Sequence, residues 1–223
     1  MDEKCRRLSE VLKILPQQHR LISVVGAGGK TTLIYLLAKE LCDAGYQVAV
    51  TTTTHMLAEE RYGFTPIGLP CEDGKIKGIS SEFPEELLRE YDIVLVEADG
   101  SKRLPMKVPA EHEPVIPKQT DLVIAVAGAS AIGKTFQEAC HRSQIACAHL
   151  GCEVDDQILL SHLVEVLTSE DGQKKGVNCE YRYVINQIDR LADTQREELD
   201  EIMRGKAECG CMISLCKLEE RYL

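Results

Sequence analysis

The chain has 223 residues, 44% hydrophobic and 28% charged, a length and balance that suit one α/β domain with a sizeable core and exclude a disordered chain. Its formal net charge of −10 repels phosphate backbones and argues against generic nucleic-acid binding. No apolar run approaches the roughly 18 residues that cross a bilayer, and Met1-Asp2-Glu3-Lys4-Cys5-Arg6-Arg7 lacks the pattern of a secretion leader, so a soluble cytoplasmic protein with no membrane partner is expected.

In chain order, residues 3–15 carry helical spacing, with Leu8, Val11, Leu12 and Leu15 on one face, and Pro16 ends that segment within an N-terminal helix region of 1–17. Residues 21–25 read as a buried strand that runs into a glycine loop, followed by a helix over 31–44 stopped by Gly45. Residues 47–50 form a second strand, then a threonine run and a short helix. Residues 62–80 are rich in glycine and proline and read as a β-rich excursion or long loop. A helical piece at 84–90 precedes a buried strand at 92–96, and a proline-stiffened loop covers 100–118. Further strands are expected at 121–126, 181–185 and 211–215, and helices at 155–168 and 194–204. Strands alternating with helices predict a three-layer α/β fold with a mostly parallel sheet, whose ligands sit at the carboxyl ends of the strands. No boundary divides the chain, so 1–223 reads as a single domain.

The polar motifs follow the strands. Gly26-Ala27-Gly28-Gly29-Lys30-Thr31-Thr32 has the glycines that let backbone N–H groups turn around a phosphate, and the next helix aims its N-terminus at the anion. In this reading Lys30 reaches the β- and γ-phosphates, the Thr31 hydroxyl ligates Mg²⁺, and Thr32 contacts the α-phosphate. The usual first glycine of such a loop is replaced by Val24, which leaves a shortened form like that of muramyl-type ATP-dependent ligases.

Glu97-Ala98-Asp99-Gly100 ends a buried strand, where a carboxylate completes a magnesium shell or orients water. Glu97 with Gly100 has the spacing of a GTPase switch, Asp99 is the rival, and the sequence does not rank them. Asn186-Gln187-Ile188-Asp189 resembles a guanine-reading motif with Gln for Lys. There Asp189 would accept from the base and Asn186 would tie the base loop to the phosphate loop.

Other segments are less specific. Thr51-Thr52-Thr53-Thr54-His55 offers hydroxyls and an imidazole to a phosphate, magnesium or a substrate, or merely ends a strand. In the 100–118 loop, Lys102, Arg103 and Lys107 can bind an anion, while Glu111, His112 and Glu113 can bind a metal or move protons. The ten cysteines read as reduced thiols, with Cys209, Cys211 and Cys216 alone near a spacing suited to a metal or a selenium species.

The glycine loop, Thr51–His55, Glu97-Ala98-Asp99-Gly100-Ser101-Lys102 and residues 109–117 (PAEHEPVIP) together resemble the YqeC family of selenium-dependent hydroxylase accessory proteins, from about residue 20 to the final helix. The resemblance implies a Mg²⁺-dependent triphosphatase, using ATP or GTP, that inserts selenium or a cofactor into a molybdenum hydroxylase client. It leaves a homodimer open. The glutamate and Asn-x-x-Asp pair is also distantly similar to nickel-insertion GTPases. Two alternatives stand beside this: an ATP-dependent kinase or ligase that activates a selenium compound or pterin, and a non-catalytic nucleotide-binding scaffold.

Overall fold

The computed structural model describes residues 7–220. In chain order it runs α1 (Leu8–Val11), β1 (Leu21–Gly26), α2 (Lys30–Asp43), β2 (Val48–Thr52), β3 (His55–Leu57), β4 (Leu69–Cys71), β5 (Lys75–Lys77), α3 (Phe83–Leu87) and β6 (Ile93–Glu97). It continues with β7 (Met106–Lys107), β8 (Leu122–Gly128), α4 (Phe136–Ala139), β9 (Cys140–His141), α5 (Ser143–Leu150), α6 (Leu160–Thr168), β10 (Glu180–Asn186), α7 (Asp193–Arg204), β11 (Cys209–Met212) and α8 (Leu215–Glu219).

Six strands make one parallel sheet in the order β11-β10-β8-β1-β6-β2. Both of its faces are covered, which is why β1, β6 and β8 are buried at every position and predominantly apolar rather than alternating. Ile22, Val24, Leu95, Ile124 and Val126 pack with Leu33, Leu36 and Leu37 of α2 and with Leu8. Val25, Val94, Val96, Val123 and Ala125 pack on the opposite face with Phe136, Leu163, Val164, Leu167 and Leu199. Each fully buried Leu or Val side chain stabilises the fold by about 1.5–3 kcal/mol. The three-layer α/β expectation holds, and the sheet is wholly parallel.

Several boundaries differ from expectation, each for a local reason. Residues 3–6 of the first expected helix lie outside the described residues; the described part stops at Val11, because Lys13 adopts φ +50°. The face therefore shifts, burying Ile14 and leaving Leu15 half exposed. Glu40 of α2 accepts the Leu8 and Ser9 N–H groups at 2.7 and 2.9 Å, satisfying the start of α1 from another helix. After the threonines comes a strand, not a helix: His55–Leu57 pairs antiparallel with Lys75–Lys77, which also pairs Leu69–Cys71. The 62–80 excursion thus contributes two short strands to a small three-stranded sheet and is otherwise loop.

Helix α6 starts at Leu160, because the preceding residues return to the α4 entrance through the Ile158 N–H to Lys134 O bond at 2.8 Å. The 100–118 loop is stitched to residues 140–141 by parallel pairing of β7 and β9. The last strand ends at Met212, and Leu215 opens α8 instead.

At the sheet edge, Gly210 of β11 lies under the buried ring of Tyr183, where an added Cβ would sit 2.1 Å from the ring. A Gly210→Ala variant must displace that ring. We expect a loss of about 1–3 kcal/mol, read as a lowered midpoint in urea unfolding; an unchanged midpoint would show that the ring moves without cost.

Candidate functional site

The glycine loop leaves β1 at Gly26, with φ +93°, and a Cβ there would meet Val126 O at 2.2 Å. Gly29 has φ +134°, and a Cβ would meet Asn186 Nδ2 at 2.4 Å. Only glycine serves at either point, because both the dihedral and the neighbouring atoms exclude a side chain. Gly29 is also the N-cap of α2 and makes no side-chain cap, so it leaves first-turn N–H groups without a capping side chain.

Two side chains hold this loop from opposite ends. The Asp99 carboxylate accepts the Gly26 N–H at 3.0 Å. Asn186 donates from Nδ2 to Gly28 O at 2.8 Å, while its Oδ1 accepts the N–H groups of Gln187 at 2.7 Å and Leu215 at 2.9 Å. The 186–189 segment is therefore joined to the glycine loop through Asn186.

Behind the loop runs a chain of alternating charges. Thr31 Oγ1 donates to Glu97 at 2.8 Å. Lys30 Nζ donates to Gly26 O at 2.7 Å and lies 3.9 Å from Glu97 and 3.2 Å from Asp99. Lys107 Nζ lies 3.0 Å from Asp99 and 2.7 Å from Glu113, and it donates to Gly100 O at 2.6 Å. Arg142 closes the chain with two bonds to Glu113, at 2.5 and 2.8 Å. The side chains of Lys107 and Asp99 are 0% exposed, so each ion depends on the next for the solvation it has lost. Burial raises the Glu97 pKa, opposed by the Lys30 charge and the Thr31 hydrogen bond. For Glu113 burial also pushes upward, but hydrogen bonds from Arg142 and Lys107 outweigh it and bring the pKa down to about 2.

This geometry separates residues that the sequence left level. A cavity of about 760 Å³ opens over the loop, lined by Gly28, Gly29, Lys30, Thr31, Thr32 and Glu97 on one wall. Glu97 faces it; Asp99 lies behind, its Oδ2 engaged by Gly26 and Lys107 and its buried Oδ1 facing Lys30 at 3.2 Å without a hydrogen bond among the described residues. Gly26 and Ala27 give their N–H groups to Asp99 and to Val126 O, so the open part of the loop begins at Gly28.

Most hydroxyls of the threonine run are consumed by main-chain carbonyls: Thr51 on Ile67, Thr52 on Glu97 and Thr53 on Val115. Of the run, His55 reaches the cavity wall. Lys107 is buried in the ion chain, whereas Lys102 and Arg103 line the cavity, as does His141. Burial, then the charges of Arg142, Lys107 and Lys102, hold the His141 pKa below its ordinary value.

Two expected metal clusters do not assemble. No group of three or more His, Cys, Asp or Glu among the described residues is placed to hold a metal. Glu113 is taken by Lys107 and Arg142, which separates it from Glu111 and His112. Cys209 and Cys211 lie on β11, while Cys216, on α8, approaches Asp189 at 3.8 Å.

A second cavity of about 530 Å³ adjoins the first and shares Ser130 and Gln187 with it. Asp189 and Lys134 line it. Ser214 Oγ donates to Asp189 at 2.6 Å, and this bond holds the carboxyl below its usual pKa. Gln187 stands between the cavities at φ +65°, with its Oε1 buried and without a hydrogen-bond partner among the described residues.

Sequence reasoning passed over Lys107 as a buried ion, Arg142 and Ser214. Lys107 alone had a signal, its place between the apolar Met106 and Val108. No helix among the described residues is long and apolar enough to cross a membrane.

Comparison with known proteins places the chain in a family. The family described as "YqeC protein" matches residues 22–67 and 59–144, which together span the glycine loop, Glu97, Asp99 and the 100–118 strap. The chain is 35% identical over 216 residues to "Uncharacterized protein YqeC" of Escherichia coli (strain K12), covering 84% of each. Among solved structures, FlhF complexed with GMPPNP/Mg(2+) superposes over 92% of this chain and 73% of its own, with 16% identity and a TM-score of 0.47. That structural likeness is too distant to bear on the site. The identity, extent and family match together establish that the chain belongs to the YqeC family.

Proposed function

We propose that this protein is a Mg²⁺-dependent nucleoside triphosphatase that lays its nucleotide across the two joined cavities. The observation that carries the reading is the open arc from Gly28 to Thr32. It is braced by Asp99 and Asn186, and the Thr31–Glu97 pair sits on the wall of the larger cavity. Backbone N–H groups, the Lys30 ammonium and the α2 N-terminus supply the positive surroundings that a triphosphate needs. The donors fit a hard cation: Thr31 Oγ1 and a Glu97 oxygen already touch, and both are oxygen ligands. Thr31 and Glu97 would hold Mg²⁺, which when bound neutralises phosphate charge. Asp99 acts from behind, fixing Gly26 and Lys30.

The base would occupy the second cavity. An ionised Asp189 is an acceptor-only group, which suits the N1–H and exocyclic amine of guanine. The wider proposal, that turnover serves the maturation of a selenium-dependent molybdenum hydroxylase by delivering selenium or a cofactor, rests on the family resemblance. A second reading, a kinase or ligase, is favoured by the extent of the larger cavity beyond Glu97 toward His55 and Lys75.

Two measurements test the nucleotide reading. Lys30→Ala should reduce phosphate release by roughly 10²-fold or more; hydrolysis at the wild-type rate would sink the assignment. Calorimetry with GTP and ATP, each with Mg²⁺, should show a GTP preference in the wild type. Asp189→Asn should weaken GTP by about 1.5–3 kcal/mol, roughly tenfold or more in Kd. Equal binding of the two nucleotides, or indifference to the substitution, would remove Asp189 from base reading.

A further inference from the structure

We propose that the outer part of the larger cavity, bounded by His55, Lys75, Lys102, Arg103 and His141, binds a second, small anionic ligand beside the terminal phosphate. The ligand class is a small molecule that bears a phosphate or carboxylate group. The inference rests on the nucleotide reading above and extends it.

The order of the strands supplies the first argument. Asp189 and Ser214 follow β10 and β11, the glycine loop follows β1, Glu97 ends β6, and His55 follows β2. A nucleotide with its base at Asp189 and its phosphates at Lys30 therefore points its terminal phosphate toward β6. The cavity does not end there. It continues past Glu97 to His55 and Leu57 of β3 and to Lys75 of β5, under Lys102 and Arg103 of the strap.

Charge supplies the second. The acids on the cavity wall are Glu97 and Glu113, and both are already matched: Glu97 by Lys30 and Thr31, Glu113 by Lys107 and Arg142. Lys30 is matched in turn by Asp99. Lys75, Lys102 and Arg103 have no ion pair or side-chain hydrogen bond among the described residues, so the charge left over in the cavity is positive. That excess stands out in a chain with a formal net charge of −10. His141 adds a ring whose Nδ1 is buried and without a partner among the described residues.

Backbone conformation supplies the third. Lys102 and Arg103 take φ values of +50° and +61°, two successive side-chain-bearing residues in the left-handed region. Such a pair is disfavoured, and it is kept here where it brings two cations to the cavity wall.

The test begins with the full chain saturated with Mg²⁺ and a non-hydrolysable triphosphate. That step alone decides whether the nucleotide reading stands. Inorganic phosphate and citrate are then titrated into the saturated complex by equilibrium dialysis. We expect one equivalent of at least one of these anions to bind. The Lys102→Gln/Arg103→Gln double variant should weaken that binding roughly tenfold or more while changing the nucleotide Kd by less than about threefold. The site is overturned if neither anion binds, if the double variant binds the anion as well as wild type, or if its main loss is in nucleotide affinity, which would assign both cations to the triphosphate itself. Should nucleotide fail to bind at all, the same dialysis comparing the nucleotide-free wild type with the Lys102→Gln/Arg103→Gln variant reads the outer site independently, and equal anion binding by the two overturns it.

Discussion

The Asp99 carboxylate is the constraint on which the site depends. It has no exposed surface, and a buried charge persists only where donors and counter-charges replace the water it has lost. The Gly26 N–H, Lys30 and Lys107 do this. Each partner is thereby placed: Gly26 at the loop entrance, Lys30 curled against the Gly26 carbonyl, and Lys107 drawn fully inside. Lys107 in turn requires Glu113, and Glu113 takes Arg142 in a two-bond pair. Removing one member of such a chain leaves an uncompensated buried ion, a loss of about 3–5 kcal/mol. The strap at 100–118 is therefore fastened to the loop by charge rather than by apolar contact alone.

Asn186 performs the matching task at the other end of the loop. Its amide donates to Gly28 O and its carbonyl oxygen accepts from Gln187 and Leu215, so one side chain joins the glycine loop, the end of β10 and α8. A nucleotide separates base from phosphates by a fixed covalent distance. On the proposed nucleotide reading the two recognition surfaces must be held at a fixed spacing, and the Asn186 brace would do so. Gln187 lies where the two cavities meet, so the departure from lysine falls on the wall between them.

The parts legible in the sequence were those that obey local rules. Short, β-branched apolar runs at 21–25 and 93–96 suit strands buried on both faces, and glycines followed by Lys-Thr-Thr mark a turn into a helix. Strand ends then located Glu97, Asp99 and Asn186. What stayed illegible was long-range pairing. Lys107 and Arg142 are residue types that normally stay in water, and their burial follows from partners at positions 99 and 113 that no local pattern connects. The ranking of Glu97 over Asp99 at the cavity wall had the same cause. Both follow one strand, and only the lysines behind it show which is already engaged. Leu15 and the short helix expected after the threonine run failed for a smaller reason: a single left-handed residue at Lys13, and a three-residue strand whose partner lies some twenty residues on, are beyond the reach of helical periodicity.

The shortened loop follows from the same geometry. Where a longer phosphate loop has its first glycine, this chain has Val24, a buried core residue in register with Glu97 whose carbonyl accepts the Ala98 N–H at 3.0 Å. The strand therefore runs further before the chain can turn. Gly26 and Ala27 then close the turn against Asp99 and Val126, and the arc open to the cavity is reduced to Gly28 through Thr32. A carboxylate behind the loop takes the place of the missing backbone residues in shaping it. This couples the loop to the strap more tightly than a longer, self-contained loop would be. Any change in the position of Lys30 is felt at Asp99, then at Lys107, and so at the segment that carries Lys102 and Arg103 to the cavity mouth.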